Sequence, residues 1–100
     1  MMKIEMKEIA LDNFESAINA MDGKRLITIT CIERGDIYEL IYHFDSKNVT
    51  NIMIKVKKGA KIYDISRKFP ESKIYEQEIQ ENYEIDFGLP KKKIFNAEVD

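Results

Sequence analysis

The sequence predicts a single α+β domain, a two-layer sandwich in which helices cover one face of an antiparallel three-stranded sheet. One hundred residues, with 44% hydrophobic and 34% charged side chains, are typical of one globular domain. Three consecutive segments in the middle of the chain have the composition and alternation of strands. The flanking segments show helical spacing instead. The predicted order is helix, three strands, two helices and a short final strand.

The first predicted helix covers residues 12–22. Residues 3–11 before it alternate loosely, which is typical of an edge strand or an extended arm. Asp12 followed by Glu15 has the spacing of a capping box, and Gly23 fits the end of the helix. Between them, four apolar residues fall on one helical face, namely Phe14, Ala17, Ile18 and Met21.

The three predicted strands are consecutive and form a meander. Residues 26–33 are β-branched almost throughout and apolar on both faces, which predicts a central, covered strand. Residues 34–36 make a tight turn into the second strand, residues 37–44. A second turn at residues 45–48 leads into the third strand, residues 49–57. The side chains predicted to share the buried face of the second strand are Tyr38, Leu40, Tyr42 and Phe44.

Helical spacing returns after the strands. Ile62, Ile65 and Phe69 predict a short helix that ends before Pro70. A second helix follows at about residues 72–83, and its apolar stripe consists of Tyr75, Ile79 and Tyr83. Residues 85–87 predict a short strand. Residues 91–100, which begin with three lysines, are expected to form a mobile tail.

Composition excludes several classes of function. The formal charge is −2, and only three of the 16 cationic residues are arginines, so a nucleic-acid partner is not expected. A single cysteine excludes an intrachain disulfide and a four-cysteine zinc or iron–sulfur site. The longest uncharged segments, residues 26–32 and 48–54, are far too short to span a bilayer. We therefore expect a cytoplasmic chain that meets a membrane only through a partner.

No residue stands out as catalytic. His43 is the only histidine, and no nucleophile lies near it in the sequence, so we expect a hydrogen-bonded or surface histidine. Cys31 lies in an apolar strand, where a free cysteine behaves as a small hydrophobic residue. A small enzyme that uses His43 or the carboxylates is the interpretation that the sequence favours least.

An acidic segment occupies residues 71–86. Its six acids and single lysine, Lys73, give a formal local charge of −5. The pattern has two interpretations, a solvated helix face or an acidic patch that meets a basic partner. Divalent-metal binding is not indicated, because the acids lack an ordered ligand set such as that of an EF-hand. The acids are Glu71, Glu76, Glu78, Glu81, Glu84 and Asp86.

From about residue 25 to residue 90, the chain resembles the thirty-kilodalton subunit family of respiratory complex I. It looks most like the short relatives in membrane-bound, energy-converting NiFe hydrogenases. The family signature is Glu-Arg-Glu, an apolar residue, an aromatic residue, Asp, then Phe-Gly-Ile and Phe-x-Gly-His-Pro. The matching residues here are Glu76, Gln77, Glu78, Ile79, Glu81, Tyr83, Ile85, Phe87, Gly88 and Pro90.

The chain departs from the signature at several positions. Gln77 stands where the family has arginine, Gln80 where it has an aromatic residue, Glu84 where it has glycine and Leu89 where it has histidine. Glutamine carries no charge, so the ion pairs of the family's arginine are not expected at Gln77. The complex I form continues well beyond this motif, whereas this sequence stops ten residues after Pro90, which favours the hydrogenase-type relatives.

The resemblance implies a cofactor-free, non-catalytic structural subunit of a membrane-associated redox complex. Such a subunit docks on a large subunit that resembles the NiFe-hydrogenase large subunit (the forty-nine-kilodalton subunit of complex I), beside iron–sulfur subunits. Glu76 and Glu78 are then exposed acceptors for partner cations, and Tyr83 and Phe87 are apolar anchors. The alternative is a standalone protein-binding or regulatory module that uses the same helix. The expected interface residues are Glu76, Gln77, Glu78, Tyr83, Phe87, Gly88 and Pro90.

Overall fold

A four-stranded mixed sheet forms the centre of the fold. The structure, a computed structural model, describes residues 4–45 and 49–90. In spatial order the strands are β1 (Ile4–Glu8), β4 (Val49–Lys57), β3 (Ile37–Asp45) and β2 (Arg25–Arg34). β2, β3 and β4 pair antiparallel, whereas β1 pairs parallel with β4. The three predicted strands are consecutive antiparallel neighbours, and the sheet is larger than predicted because residues 4–8, expected as an edge strand or an extended arm, add a parallel edge strand.

β2 lies at an edge of this sheet, not at its centre as predicted. A register shift between Leu26 and Thr28 inserts one extra residue, Ile27. The insertion lets Leu26 and Ile29 both turn into the core, while 39% of Ile27 stays exposed. This irregularity explains why β2 looks apolar on both faces in the sequence although only one face is covered.

The first helix is shorter than predicted. A 3-10 turn at Leu11–Asn13 leads into α1 (Phe14–Asn19), which buries Phe14 and Ile18. The predicted capping box does not form, since neither element has a side-chain capping hydrogen bond. The chain tightens at the end of α1, where the Met21 N–H donates to the Ile18 carbonyl oxygen at 2.9 Å. This tightening ends the helix before residue 22.

The predicted helix before Pro70 is absent. β5 (Ala60–Lys61) pairs parallel with β6 (Ile85–Asp86), and the Ile62 N–H extends this pairing with a 2.8 Å bond to the Asp86 carbonyl oxygen. This pairing holds the chain extended, and only one turn follows, closed by the Phe69 N–H on the Ile65 carbonyl oxygen at 2.8 Å. Ile62, Ile65 and Phe69 are buried all the same, so the helical spacing reflects an apolar connection.

α2 (Ser72–Asn82) is longer than α1 and packs against β2. The core lies between this helical layer and one face of the sheet, where all four predicted residues of β3 are buried. Within the described ranges, no helix is long and apolar enough to cross a membrane. Two predicted segments lie outside the described residues. They are residues 46–48 of the predicted turn at 45–48 and the predicted tail at 91–100.

Candidate partner-docking site

The outward face of α2 presents a stripe with helical spacing i, i+3, i+4, i+7. Ile74 is 71% exposed, the highest value among the exposed large hydrophobic residues of the described ranges. Glu78 and Glu81 are also exposed, and Gln77 is partly exposed. These four residues lie within one broad arc of the helix, because each residue adds about 100° of rotation. We refer to Ile74, Gln77, Glu78 and Glu81 as the outer stripe.

Glu76 is not on this surface. Its exposed fraction is 0%, so the prediction of an exposed Glu76 was wrong. One carboxyl oxygen accepts the Ile65 N–H at 3.1 Å, and the other accepts the Ser72 hydroxyl at 3.0 Å. Rotation along the helix places Glu76 between Ser72 and Ile79, which are both buried. An acid in a helix is expected to be exposed, and the sequence does not show that the Ile65 N–H of the preceding segment donates to this carboxyl group.

The carboxyl group of Glu76 has an unusual protonation equilibrium. Burial, followed by a hydrogen bond with Asp64, raises the pKa of Glu76 from its ordinary 4.5 to about 8. Burial also acts to raise the pKa of Asp64, but hydrogen bonds from Glu76 and Ser66 outweigh it and lower that pKa. The two carboxyl groups therefore titrate apart, Asp64 as the stronger acid.

Phe87 is also an interior residue. Its exposed fraction is 4%, and it belongs to the hydrophobic core. The prediction of Phe87 as a surface anchor was therefore wrong. Tyr83 is half-buried, and its ring meets that of Tyr38 edge-on at a centroid distance of 5.4 Å. Of the two predicted aromatic anchors, only Tyr83 reaches the surface.

Gln80 organises the loop that follows α2, a role that sequence reasoning missed. Its amide oxygen accepts the N–H groups of Phe87 at 2.9 Å and of Leu89 at 3.4 Å. Its amide nitrogen donates to the Leu89 carbonyl oxygen at 3.0 Å. A glutamine amide both donates and accepts hydrogen bonds, so one side chain can hold all three of these backbone groups. The signal in the sequence was a polar residue beside the apolar stripe of α2.

Gly88 adopts a conformation that favours glycine. Its φ is +74°, in the left-handed region, and its N–H donates to the Asp86 carboxylate at 2.7 Å. The glycine thus lets the chain reverse over the end of α2. Pro90, the last described residue, is exposed.

Two grooves flank the end of α2. One, of about 360 Å³, separates α2 from β2, and the other, of about 290 Å³, lies beside the loop after α2. Tyr83 lines both grooves, so its ring stands between them. The first groove is lined by Ile29, Thr30, Cys31, Glu78, Ile79, Asn82 and Tyr83. The outer stripe, the two grooves and Tyr83 together form the candidate docking surface.

His43 and Cys31, the two residues considered for catalysis, have structural surroundings. The Nδ1 of His43 lies 2.7 Å from the Asn51 amide oxygen, and its Nε2 lies 2.9 Å from the Thr30 hydroxyl. The prediction of a hydrogen-bonded histidine is confirmed. Burial, followed by the charge of Glu33, raises the pKa of Cys31 to about 11, which disfavours the nucleophilic thiolate. Among the described residues, no group of three or more His, Cys, Asp or Glu is placed to hold a metal ion.

Comparison with known proteins identifies the family. No curated protein shows a significant match to the sequence. The sequence model of the family described as respiratory-chain NADH dehydrogenase, 30 Kd subunit, matches residues 7–98. That match includes α1, α2 and strands β2 to β6, together with part of β1. The chain therefore belongs to the family of the 30 Kd subunit of respiratory-chain NADH dehydrogenase.

Proposed function

We propose that this chain is a non-catalytic structural subunit of a membrane-associated redox complex, either NADH dehydrogenase-like or of the energy-converting NiFe hydrogenase type. Family membership over residues 7–98 is the observation that carries this proposal. Subunits of this family belong to multi-subunit oxidoreductase complexes and do not catalyse the reaction themselves. Association with the membrane then comes through the complex, and no cofactor is required on this chain.

The candidate docking surface has the anatomy of a protein interface. Ile74 is a large apolar side chain surrounded by polar and acidic groups, as in the centre and rim of many interfaces. Five acids between residues 71 and 86 are exposed, and none of them forms an ion pair with another described residue. A partner surface that carries arginine or lysine side chains would complement them. The five acids are Glu71, Glu78, Glu81, Glu84 and Asp86.

The interface residues then divide into two groups. Gln77, Glu78 and Tyr83 are available for direct contact with the large subunit, as is Pro90 at the end of the loop. Gly88 acts through the shape of that loop. Glu76 and Phe87 act from inside the fold, where they hold α2 and the loop in position.

Affinity purification of the tagged chain from its native source, with mass spectrometry of the recovered proteins, tests this proposal. We expect a large subunit of the NiFe-hydrogenase type or its complex I counterpart, iron–sulfur subunits and integral membrane proteins. The identity of the large subunit decides between the two types of complex. Recovery of the chain alone, or with unrelated proteins, would refute the proposal and favour a standalone binding or regulatory module.

A matched pair of charge reversals locates the docking surface. Glu78→Lys reverses an exposed charge on the outer stripe, and Glu15→Lys reverses an exposed charge on α1. We expect Glu78→Lys to reduce recovery of the large subunit and Glu15→Lys to leave it unchanged, with both variants folded. Equal recovery with both variants would contradict docking through α2.

A further inference from the structure

Two neighbouring carboxyl groups lie where α2 meets the segment that precedes it. Asp64 lies in the connection between β5 and α2, and Glu76 lies one turn inside the helix. The Glu76 carboxyl accepts the N–H of Ile65, the residue that follows Asp64, at 3.1 Å. A hydrogen bond between the Glu76 and Asp64 side chains is in addition one cause of the raised pKa of Glu76 and of the lowered pKa of Asp64.

A hydrogen bond between two carboxyl groups requires a proton on one of them. Two carboxylates have acceptors only and repel each other. Glu76 is the better holder of that proton, because it is fully buried and a buried charge is costly without a cation beside it. Asp64 is only partly buried, accepts the Ser66 N–H at 2.8 Å and feels the charge of Arg67. Asp64 is therefore better stabilised as the carboxylate.

The groups that face this pair from the sheet do not neutralise it. Tyr42 of β3 is fully buried, and its hydroxyl has no hydrogen-bond partner among the described residues. Burial, and after it the neighbouring acids, raise the pKa of Tyr42, so its hydroxyl supplies no charge to the pair. On α2 itself, the neighbour is the neutral Ser72 hydroxyl. Arg67 is thus the cation that acts on the pair, and it acts on Asp64.

We propose that Glu76 holds one proton in the folded protein and shares it with Asp64, and that this shared proton is a pH-sensitive latch between α2 and the segment before it. When the proton is lost to solvent in alkaline solution, two carboxylates face each other. The Asp64 side chain then turns towards water, and the connection of residues 62–69 to α2 loosens. This inference stands independently of the proposed subunit role.

The protonation equilibrium gives the expected pH dependence of stability. The folded pKa of Glu76 is raised to about 8, above the ordinary 4.5 that applies to the unfolded chain. Between these values the folded state binds one proton more than the unfolded state, so Glu76 stabilises the fold least at high pH. Its contribution raises the unfolding equilibrium constant about tenfold per pH unit in this window. Asp64, whose pKa is lowered, has the opposite effect only below its ordinary 3.8.

Urea unfolding of the full chain between pH 5 and 9 tests the latch. Glu76→Gln keeps a neutral side chain that can donate to Asp64 and accept the Ile65 N–H. We expect this variant to lose the roughly tenfold slope of the wild type between about pH 5 and 8. Glu78→Gln, an exposed change on the same helix, should keep the slope. The same slope in wild type and Glu76→Gln overturns the proposal.

Carbon-13 NMR titration of the wild-type side-chain carboxyl groups gives a second measurement that needs no variant. We expect the Glu76 signal to move with a midpoint near pH 8, and the signals of residues 62–66 to move with it. A Glu76 midpoint near 4.5 would overturn the proposal. A midpoint near 8 without any change at residues 62–66 would refute the latch, because protonation would then not control that segment.

Discussion

Replacing Glu76 by lysine should destabilise the fold far more than the same change at Glu78, two residues along the helix. Glu76 is completely buried, whereas Glu78 is exposed. Lysine has no acceptor, so Glu76→Lys leaves the Ile65 N–H and the Ser72 hydroxyl without the partners that they have at 3.1 and 3.0 Å. Each buried donor left unpaired costs about 1–3 kcal/mol.

The sum for Glu76→Lys is a loss of about 3 kcal/mol in the free energy of unfolding, allowing for some attraction between the new ammonium group and Asp64. A domain of this size is stable by about 5–15 kcal/mol, so the loss is a large fraction of the total. Glu78→Lys should change the free energy of unfolding by less than about 0.5 kcal/mol. The two variants reverse the same charge, so the difference between their free energies of unfolding reflects the burial of Glu76 and the exposure of Glu78.

Urea unfolding followed by circular dichroism at pH 7 measures both variants against the wild type. The midpoint should fall clearly for Glu76→Lys with an unchanged m-value, because the surface exposed on unfolding stays the same. A loss below about 1 kcal/mol for Glu76→Lys would refute the buried position of this side chain. A comparable loss for Glu78→Lys would refute the assignment of the outer stripe to the surface.

Three further predictions concern the core, a turn and the thiol. Ile54→Ala, at 0% exposure, should cost about 2–5 kcal/mol in calorimetry or urea unfolding, whereas Ile74→Ala, at 71% exposure, should cost less than about 0.5 kcal/mol; similar losses would contradict the burial pattern. Gly35 has a φ of +60°, so Gly35→Ala should lower the free energy of unfolding by about 1 kcal/mol, and an unchanged value would argue against that turn geometry. The raised pKa of Cys31, about 11, should make alkylation by iodoacetamide slow at pH 8 in the native protein and fast in urea; equal rates would mean an open thiol.

The strands of this fold were predicted from the sequence more correctly than the helices. β3 is covered on one face, and its alternation of buried and less buried residues follows directly from the period of two. β2 misled the prediction, because one inserted residue, Ile27, breaks the alternation at its start. β1 belongs to the sheet only through a parallel pairing with β4, and no local pattern specifies such a non-local contact.

The prediction of a helix in the connection before α2 was wrong for a different reason. Spacing at 62, 65 and 69 reports which residues are buried, not which hydrogen bonds the backbone makes. The backbone of residues 60–62 is bonded to β6, which follows only after the whole of α2. Competition between a local helix and that distant pairing cannot be decided from the local sequence.

The candidate site shows the same division between local and non-local information. Glu78 is exposed as expected, since helical rotation places it away from the apolar stripe of α2. Glu76 and Phe87 were placed wrongly, because their burial depends on a neighbouring segment and on the core. Gln80 was read as a departure from the family pattern, yet its amide holds the Phe87 and Leu89 backbone.

The pairing of β5 with β6 has a consequence for how the protein folds. It joins the two ends of a long excursion of the chain, since Ala60 pairs with Ile85 and the Gly59 N–H donates to the Glu84 carbonyl oxygen. The excursion contains the Asp64–Glu76 pair and the whole of α2. The entropy of closing such a loop is lost before its contacts form, which delays this part of the chain relative to the β2–β3 hairpin. We therefore expect the helix proposed to meet the partner to complete its surface after the β2–β3 hairpin, against which it packs, has formed.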